Sequence, residues 1–186
     1  MKKIPIGTKS FSRLVEGNYY FVDKTLMIKE FLDRVTDVTL ITRPRRFGKT
    51  INMSMMAEFF DITKDSKEIF KGTKIMETPY AAEINQYPTI FIFFADAKRD
   101  KETVVSTIRT QIQNQWDKYD FVFGNLKGFK KTNYERLYEV LADNNKNNLK
   151  GIDDDAISFL MARMEDYYGK EVMVFIDEYD TPFVEA

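Results

Sequence analysis

Val38-Thr39-Leu40-Ile41-Thr42-Arg43-Pro44-Arg45-Arg46-Phe47-Gly48-Lys49-Thr50-Ile51 is the stretch on which the reading of this chain turns. Its first five residues are β-branched or leucine, which predicts a short strand over 38–42. Arg43 to Thr50 reads as a basic, glycine-bearing turn. Beyond it Ile51, Met55, Met56, Phe59 and Phe60 recur at three- and four-residue spacing, which predicts a helix. Strand, loop and helix with Gly-Lys-Thr at the loop's end make the second half of the phosphate-binding pattern Gly-x-x-x-x-Gly-Lys-Ser/Thr, with Arg43 standing at the first glycine position. Gly48 lets the backbone approach an anion, and the amides of Lys49, Thr50 and Ile51 open a helix, where negative charge is favoured. The Lys49 ammonium reaches terminal phosphates and the Thr50 hydroxyl can ligate Mg²⁺. A bare Gly-Lys-Thr is also what a solvated basic turn offers by chance, so the loop needs a second motif beside it.

That motif lies near the other end. Val172-Met173-Val174-Phe175-Ile176 is an apolar strand running into Asp177-Glu178. An apolar strand closed by an acidic pair is the Walker B arrangement, in which Asp177 serves the Mg²⁺ shell of Thr50 and Glu178 orients and partly deprotonates an attacking water. Acidic residues often end strands for no such reason. Two motifs in the correct chain order, each at the C-terminal end of an expected parallel strand, are harder to obtain by accident.

Between and around the motifs the pattern alternates. Asp23 is placed to cap a helix carrying Met27, Ile28, Phe31, Leu32 and Val35. The region 61–87 reads as loops around short helical pieces, punctuated by Gly72, Pro79 and Pro88. Thr89 to Ala95 is apolar at nearly every position, as a strand covered on both faces would be. Val104, Val105, Ile108, Ile112, Trp116 and Tyr119 form a long helical stripe. Thr132 and Glu135 make a capping-box start for a helix with Tyr134, Leu137, Tyr138 and Leu141. Asn144 to Lys150 is a polar break. A further helix from about Asp153 carries Ile157, Leu160, Met161, Met164 and Tyr168, with Gly169 to end it. Strands separated by helices predict an α/β layered fold with a mostly parallel sheet.

Composition narrows the chemistry. With no histidine and no cysteine there is no Cys/His zinc site, disulfide framework, cysteine nucleophile or Ser-His triad. What remains are carboxylates, Lys, Arg, hydroxyls, backbone amides and an oxygen-liganded cation such as Mg²⁺. The 28 basic and 29 acidic residues leave a net charge of -1, so no global field draws the chain to nucleic acid or an anionic membrane. The basic start Met1-Lys2-Lys3-Ile4-Pro5 meets a proline before any apolar stretch, and a cytoplasmic location without membrane partners is expected.

Tyr20-Phe21-Val22-Asp23-Lys24-Thr25, Thr42 to Thr50 and Phe175-Ile176-Asp177-Glu178-Tyr179-Asp180-Thr181-Pro182 together resemble the bacterial AAA-ATPase-like family, over nearly the whole chain. The arginine-rich loop lacking the first glycine is a feature of that family. The resemblance implies one P-loop NTPase domain over 1–186, a three-layer α/β/α fold of the additional-strand, catalytic-glutamate type, with ATP and Mg²⁺ as cofactors. The variant Walker A is Arg43-Pro44-Arg45-Arg46-Phe47-Gly48-Lys49-Thr50 and the Walker B Val172 to Glu178. Nucleotide binding would then fall to Arg45, Arg46, Phe47, Gly48, Lys49, Thr50 and Ile51, with Tyr20 placed to cover an adenine ring. Lys49 and Glu178 would be catalytic, and Thr50 and Asp177 the metal ligands. Members typically carry a C-terminal PD-(D/E)XK nuclease-like domain. Only three core strands are readable, at 38–42, 89–95 and 172–176, so the chain reads as truncated after Walker B, its missing strands supplied by a partner or by self-association. Alternatives are a nucleotide-binding switch with little turnover and an inactive remnant.

Other readings fare worse. Asp180 stands where a GTPase would place glycine three residues after Asp177, and Asn145-Lys146-Asn147-Asn148 is a poor base-recognition run. Gly-x-Gly-x-x-Gly is absent, which removes dinucleotide binding. Asp96-Ala97-Lys98 mimics a nuclease trio but lacks a Pro-Asp partner and recurs as Asp65-Ser66-Lys67. Arg43, Arg45, Arg46 and Lys49 suit one nucleotide better than a nucleic-acid patch, and Met53, Met55 and Met56 read as packing filler.

Overall fold

The computed structural model describes residues 3–5, 7–34, 36–42, 47–94, 101–143 and 154–178, in two compact units, Met1–Thr89 and Ile90–Ala186. The first unit is helical: α1 (Phe11–Glu16), α2 (Leu26–Arg34), α3 (Lys49–Phe60), α4 (Lys67–Phe70) and two 3-10 turns at Lys74–Glu77 and Pro79–Glu83. The expected stripe on α3 is realised, with Met55, Met56, Phe59 and Phe60 buried and Ile51 half-buried. Phe59 packs edge-on to Phe60 (centroids 5.3 Å apart) and to Phe70 (5.2 Å), and Phe70 meets Phe11 of α1 at 5.1 Å. Each such aromatic pair adds about 0.5–1.5 kcal/mol beyond the area it buries.

Polar groups fix the other end of α3. The buried Glu58 carboxylate takes Lys64 Nζ at 2.5 Å and the Ser66 hydroxyl at 2.7 Å. Asn85 accepts from the Ser66 N–H at 2.8 Å and donates to the Asp61 carbonyl at 2.9 Å. These bonds tie the C-terminal end of α3 to the polypeptide that follows.

Two local expectations are corrected, and one element is added, within the described residues of this unit. Residues 38–42 are not a strand: Val38 is 86% and Leu40 64% exposed, and neither a ladder nor a bridge engages them. Strand propensity is realised only against a pairing edge, and among the described residues this run, with Thr39 and Ile41 only half-buried, has none. Asp23 is not a simple helix cap either, since α2 begins three residues later, at Leu26, and the carboxylate binds Thr25, just before the helix, together with the distant Lys74. The helix α1 is an addition to the expected elements, although Ser10, whose hydroxyl accepts the Arg13 N–H at 3.4 Å, and the buried Phe11 and Leu14 are an N-cap and a one-turn apolar face.

The second unit runs β1 (Thr89–Phe93, opening on the last residue of the first unit), α5 (Lys101–Lys118), a 3-10 turn at Asp120–Phe123, α6 (Phe129–Ala142), α7 (Asp154–Tyr168) and β2 (Met173–Asp177). The strands are neighbours in a parallel pair, extended by the Phe94 N–H donating to the Asp177 carbonyl at 3.1 Å. The chain is thus α/β with a small parallel sheet and mostly helices. One face of β1 is sealed, with Ile90 and Ile92 buried, while on the other Thr89 is buried but Phe91 and Phe93 are half-buried, so the covering expected on both faces is complete on one.

Trp116 of α5 sits at the centre of the core, stacked on Tyr134 and Phe159 with centroids at 5.7 and 6.0 Å, its indole N–H donating to the Ala156 carbonyl at 3.1 Å. Leu137 and Leu141 of α6 and Leu160 and Met164 of α7 fill in around it. Gly169 ends α7 as expected, at φ 63°, with its N–H on the Glu165 carbonyl at 2.8 Å. The capping box at Thr132 is not used. Gly128 turns the chain at φ 56° and starts α6 a turn earlier, so the Thr132 N–H already donates to the Gly128 carbonyl at 3.2 Å. The break at Asn144 to Lys150, the Asp96-Ala97-Lys98 trio, Ala95, Val35 and Asp153 lie outside the described residues. Among the described residues no helix is long and apolar enough to cross a membrane.

Candidate functional site

Gly48 is the pivot of the loop end. It holds φ 77° and ψ 26°, a left-handed conformation that costs an L-residue about 1–2 kcal/mol, and from it the chain enters α3. The first helical bond runs from the Asn52 N–H to the Gly48 carbonyl at 2.9 Å. The N–H groups of Lys49, Thr50 and Ile51 therefore precede the helical ladder, at the positive end of the helix dipole. Lys49 is half-buried, and among the described residues its ammonium meets no carboxylate. Among the same residues the Thr50 hydroxyl makes no hydrogen bond. Phe47 is exposed, and its carbonyl accepts from Lys24 Nζ at 3.5 Å. Arg43, Arg45 and Arg46 lie outside the described residues.

Tyr20 is exposed and follows a parallel bridge between Lys3 and Tyr19, its N–H donating to the Lys3 carbonyl at 2.8 Å. Three residues further the chain is clamped. Asp23 Oδ1 accepts both the N–H of Thr25 (2.8 Å) and its hydroxyl (2.7 Å), and Oδ2 accepts the N–H of Lys74 at 2.9 Å. The buried Thr25 hydroxyl in turn accepts the N–H of Ile75 at 3.1 Å. Partial burial works to raise the Asp23 carboxyl, but the donors from Thr25 and Lys74 outweigh it and hold the group below its ordinary value. Sequence pattern does not reveal the whole clamp, because half of it comes from about fifty residues away; its local half, an Asx-type turn in Asp23-Lys24-Thr25, is a signal that could have found it.

At the strand end Asp177 is 5% exposed. Its Oδ1 accepts the Glu178 N–H at 3.0 Å, whereas Oδ2 is buried and, among the described residues, has no partner. Leaving a carboxylate oxygen so costs at least about 1–3 kcal/mol, which a ligand for that oxygen would recover. Glu178, half-buried, follows at φ 55°, a conformation in which a non-glycine residue is held by its surroundings. The loop end lies in the first unit and the strand end in the second. Among the described residues no three acidic side chains gather as a self-sufficient metal site.

An α/β chain that opens one helix with amides ahead of its ladder, a lysine and a hydroxyl, and ends a parallel strand on a buried carboxylate with one oxygen unpartnered among the described residues, has the parts of a nucleotide-binding, ATPase-like domain. The chain belongs to the AAA-ATPase-like family, described as predicted AAA-ATPase, whose model matches residues 5–186. A curated relative from Azotobacter chroococcum mcd 1, described as an uncharacterized protein in the vnfD 5′ region, is 37% identical over 75 residues, 40% of this chain and 14% of that protein. The match thus spans only a small part of the relative's length. No solved structure matches the chain.

Proposed function

We propose that the chain binds ATP with Mg²⁺ and hydrolyses it through a P-loop site in a three-layer α/β/α domain of the catalytic-glutamate type. The observation that carries the reading is what gathers after Gly48 at the start of α3: three amides ahead of the helical ladder, and an ammonium that meets no carboxylate and a hydroxyl that makes no hydrogen bond among the described residues. In this reading the amides of Lys49, Thr50 and Ile51 receive phosphate oxygens, and Lys49 stabilises charge on the transferring phosphoryl group. Arg45, Arg46 and Phe47 line the approach, and Tyr20 covers the base.

The donor set suits Mg²⁺, which takes oxygen ligands and commonly rests on one or two protein groups plus substrate phosphates. The Thr50 hydroxyl and the Asp177 carboxylate would hold it, and the Oδ2 of Asp177, without a partner among the described residues, fits that duty. Bound there, the cation supplies neutralisation of phosphate charge. Glu178 holds the attacking water and takes up its proton as the water oxygen bonds to phosphorus and the bond to ADP breaks. Association with a protein partner or with a second copy of the chain belongs to the same proposal.

The test is titration of the 186-residue chain with MgATP, followed by turnover. Binding in the micromolar to millimolar range is expected, lost in Lys49→Ala; no binding at millimolar ATP by the unaltered chain sinks the reading. Glu178→Gln is expected to retain binding while turnover falls by roughly 10²–10⁴. Equal turnover in the two would turn the assignment to a nucleotide-binding switch.

A further inference from the structure

Lys24 lies between the two residues of the clamp and takes no part in it. Asp23 and Thr25 are fixed on either side, by bonds to Lys74 and Ile75, so the backbone at residue 24 has little freedom. The side chain is exposed and extends to the Phe47 carbonyl, the last peptide oxygen before Gly48-Lys49-Thr50. At 3.5 Å that contact is at the outer limit of a hydrogen bond, and it uses one of the ammonium's three donors. Other lysines of the first unit are engaged differently: Lys29 pairs with Asp33 and Lys71 with Glu68. Among the described residues Lys24 has no carboxylate within ion-pair distance. The adjacent Asp23 carboxylate is turned away, its lone pairs taken by three donors from Thr25 and Lys74.

A cation kept in place by its neighbours, aimed at the shoulder of a helix-opening loop and without a counter-ion among the described residues, has the makings of an anion ligand. We propose that Lys24 is a second phosphate-facing cation of the nucleotide site, exchanging its long contact with the Phe47 carbonyl for a phosphate oxygen when the nucleotide enters. The inference rests on the nucleotide reading and adds to it a residue outside the Gly48-Lys49-Thr50 loop. It also divides the labour within the Tyr20 to Thr25 segment, where the bonds of Asp23 and Thr25 position and Lys24 binds.

The experiment compares MgATP, ADP and AMP binding by calorimetry for the unaltered chain, Lys24→Gln and Lys24→Ala. Glutamine keeps a donor for the Phe47 carbonyl and removes only the charge. Both variants are expected to weaken MgATP by about tenfold and AMP by less than about twofold, the loss of one charge-assisted contact. Thermal midpoints without nucleotide should stay unchanged, since the side chain is exposed. Native ATP affinity in Lys24→Gln would reduce the residue to a loop staple and overturn the proposal, as would equal losses for AMP and ATP. In either case the nucleotide reading would stand, provided Lys49→Ala still abolishes binding. If the unaltered chain binds no MgATP, both readings fall together.

Discussion

Gly48 and Glu178 share a left-handed backbone, at φ 77° and φ 55°, and use it for opposite purposes. At Gly48 a Cβ would find nothing within 4 Å, so it is the dihedral and not crowding that calls for glycine. What that position offers is main chain: a turn that aims three amides along one direction. At Glu178 the same region is occupied by a residue for which it costs about 1–2 kcal/mol. What that position offers is a side chain, set just past the strand end with its N–H anchored on Asp177 Oδ1. The loop end is built without strain and the strand end is built with it, and the second pattern is the one expected where a reactive group is held.

Substitutions can break this contrast. The largest effect is expected at the strand end, in Asp177→Asn. At MgATP a hundredfold above its dissociation constant the unaltered chain should gain about 2.7 kcal/mol of unfolding free energy, and the variant should lose nearly all of it. Without ligand the same variant should be about 1 kcal/mol more stable, because a charge with an unpartnered oxygen has been removed from the interior. Urea titrations with and without MgATP measure both, and an unchanged ligand-induced gain would show that Asp177 plays no part in binding.

Next comes Gly48→Val, expected to cost about 2 kcal/mol in the same titrations from backbone strain alone, with Gly48→Asn costing about half as much. A neutral Gly48→Val would mean that the loop's left-handed turn is not required. Glu178→Gly should move the opposite way: relief of strain exceeds the added entropy of the unfolded chain, for a net gain of about 0.5 kcal/mol, alongside lost turnover. The smallest effect concerns pH. Asp23 is held below its ordinary value of 3.8, so its contribution is complete above that pH and fades as pH falls through the lower folded value. Asp23→Asn should flatten the stability profile below about pH 4, and identical acid limbs for the two proteins would remove the clamp from the energetics.

Much of the scaffold is legible where its causes are local. The stripe on α3 and the stop at Gly169 each depend on residues within a turn or two. The run at 38–42 misleads because strand formation is settled by a partner that propensity cannot reveal. Thr132 misleads because Gly128, four residues upstream, has already started the helix. Within the candidate site the motif residues Gly48, Lys49, Thr50, Asp177 and Glu178 are readable by type and order. The Asp177 oxygen left unpartnered among the described residues, the strain at Glu178 and the carbonyl contact of Lys24 are not, since each depends on what surrounds a residue and not on what it is.

The packing around Trp116 has a spectroscopic consequence. It is the chain's single tryptophan, and it is enclosed by Phe123, Tyr134 and Phe159 in the core of the second unit. Excited at the red edge of its absorption, the protein therefore emits from the second unit alone, while far-ultraviolet dichroism, weighted by helices on both sides of Thr89, follows the whole chain. Paired melts then separate the fate of the strand end from that of the loop end without any label, and superimposable curves would identify the two units as one cooperative transition.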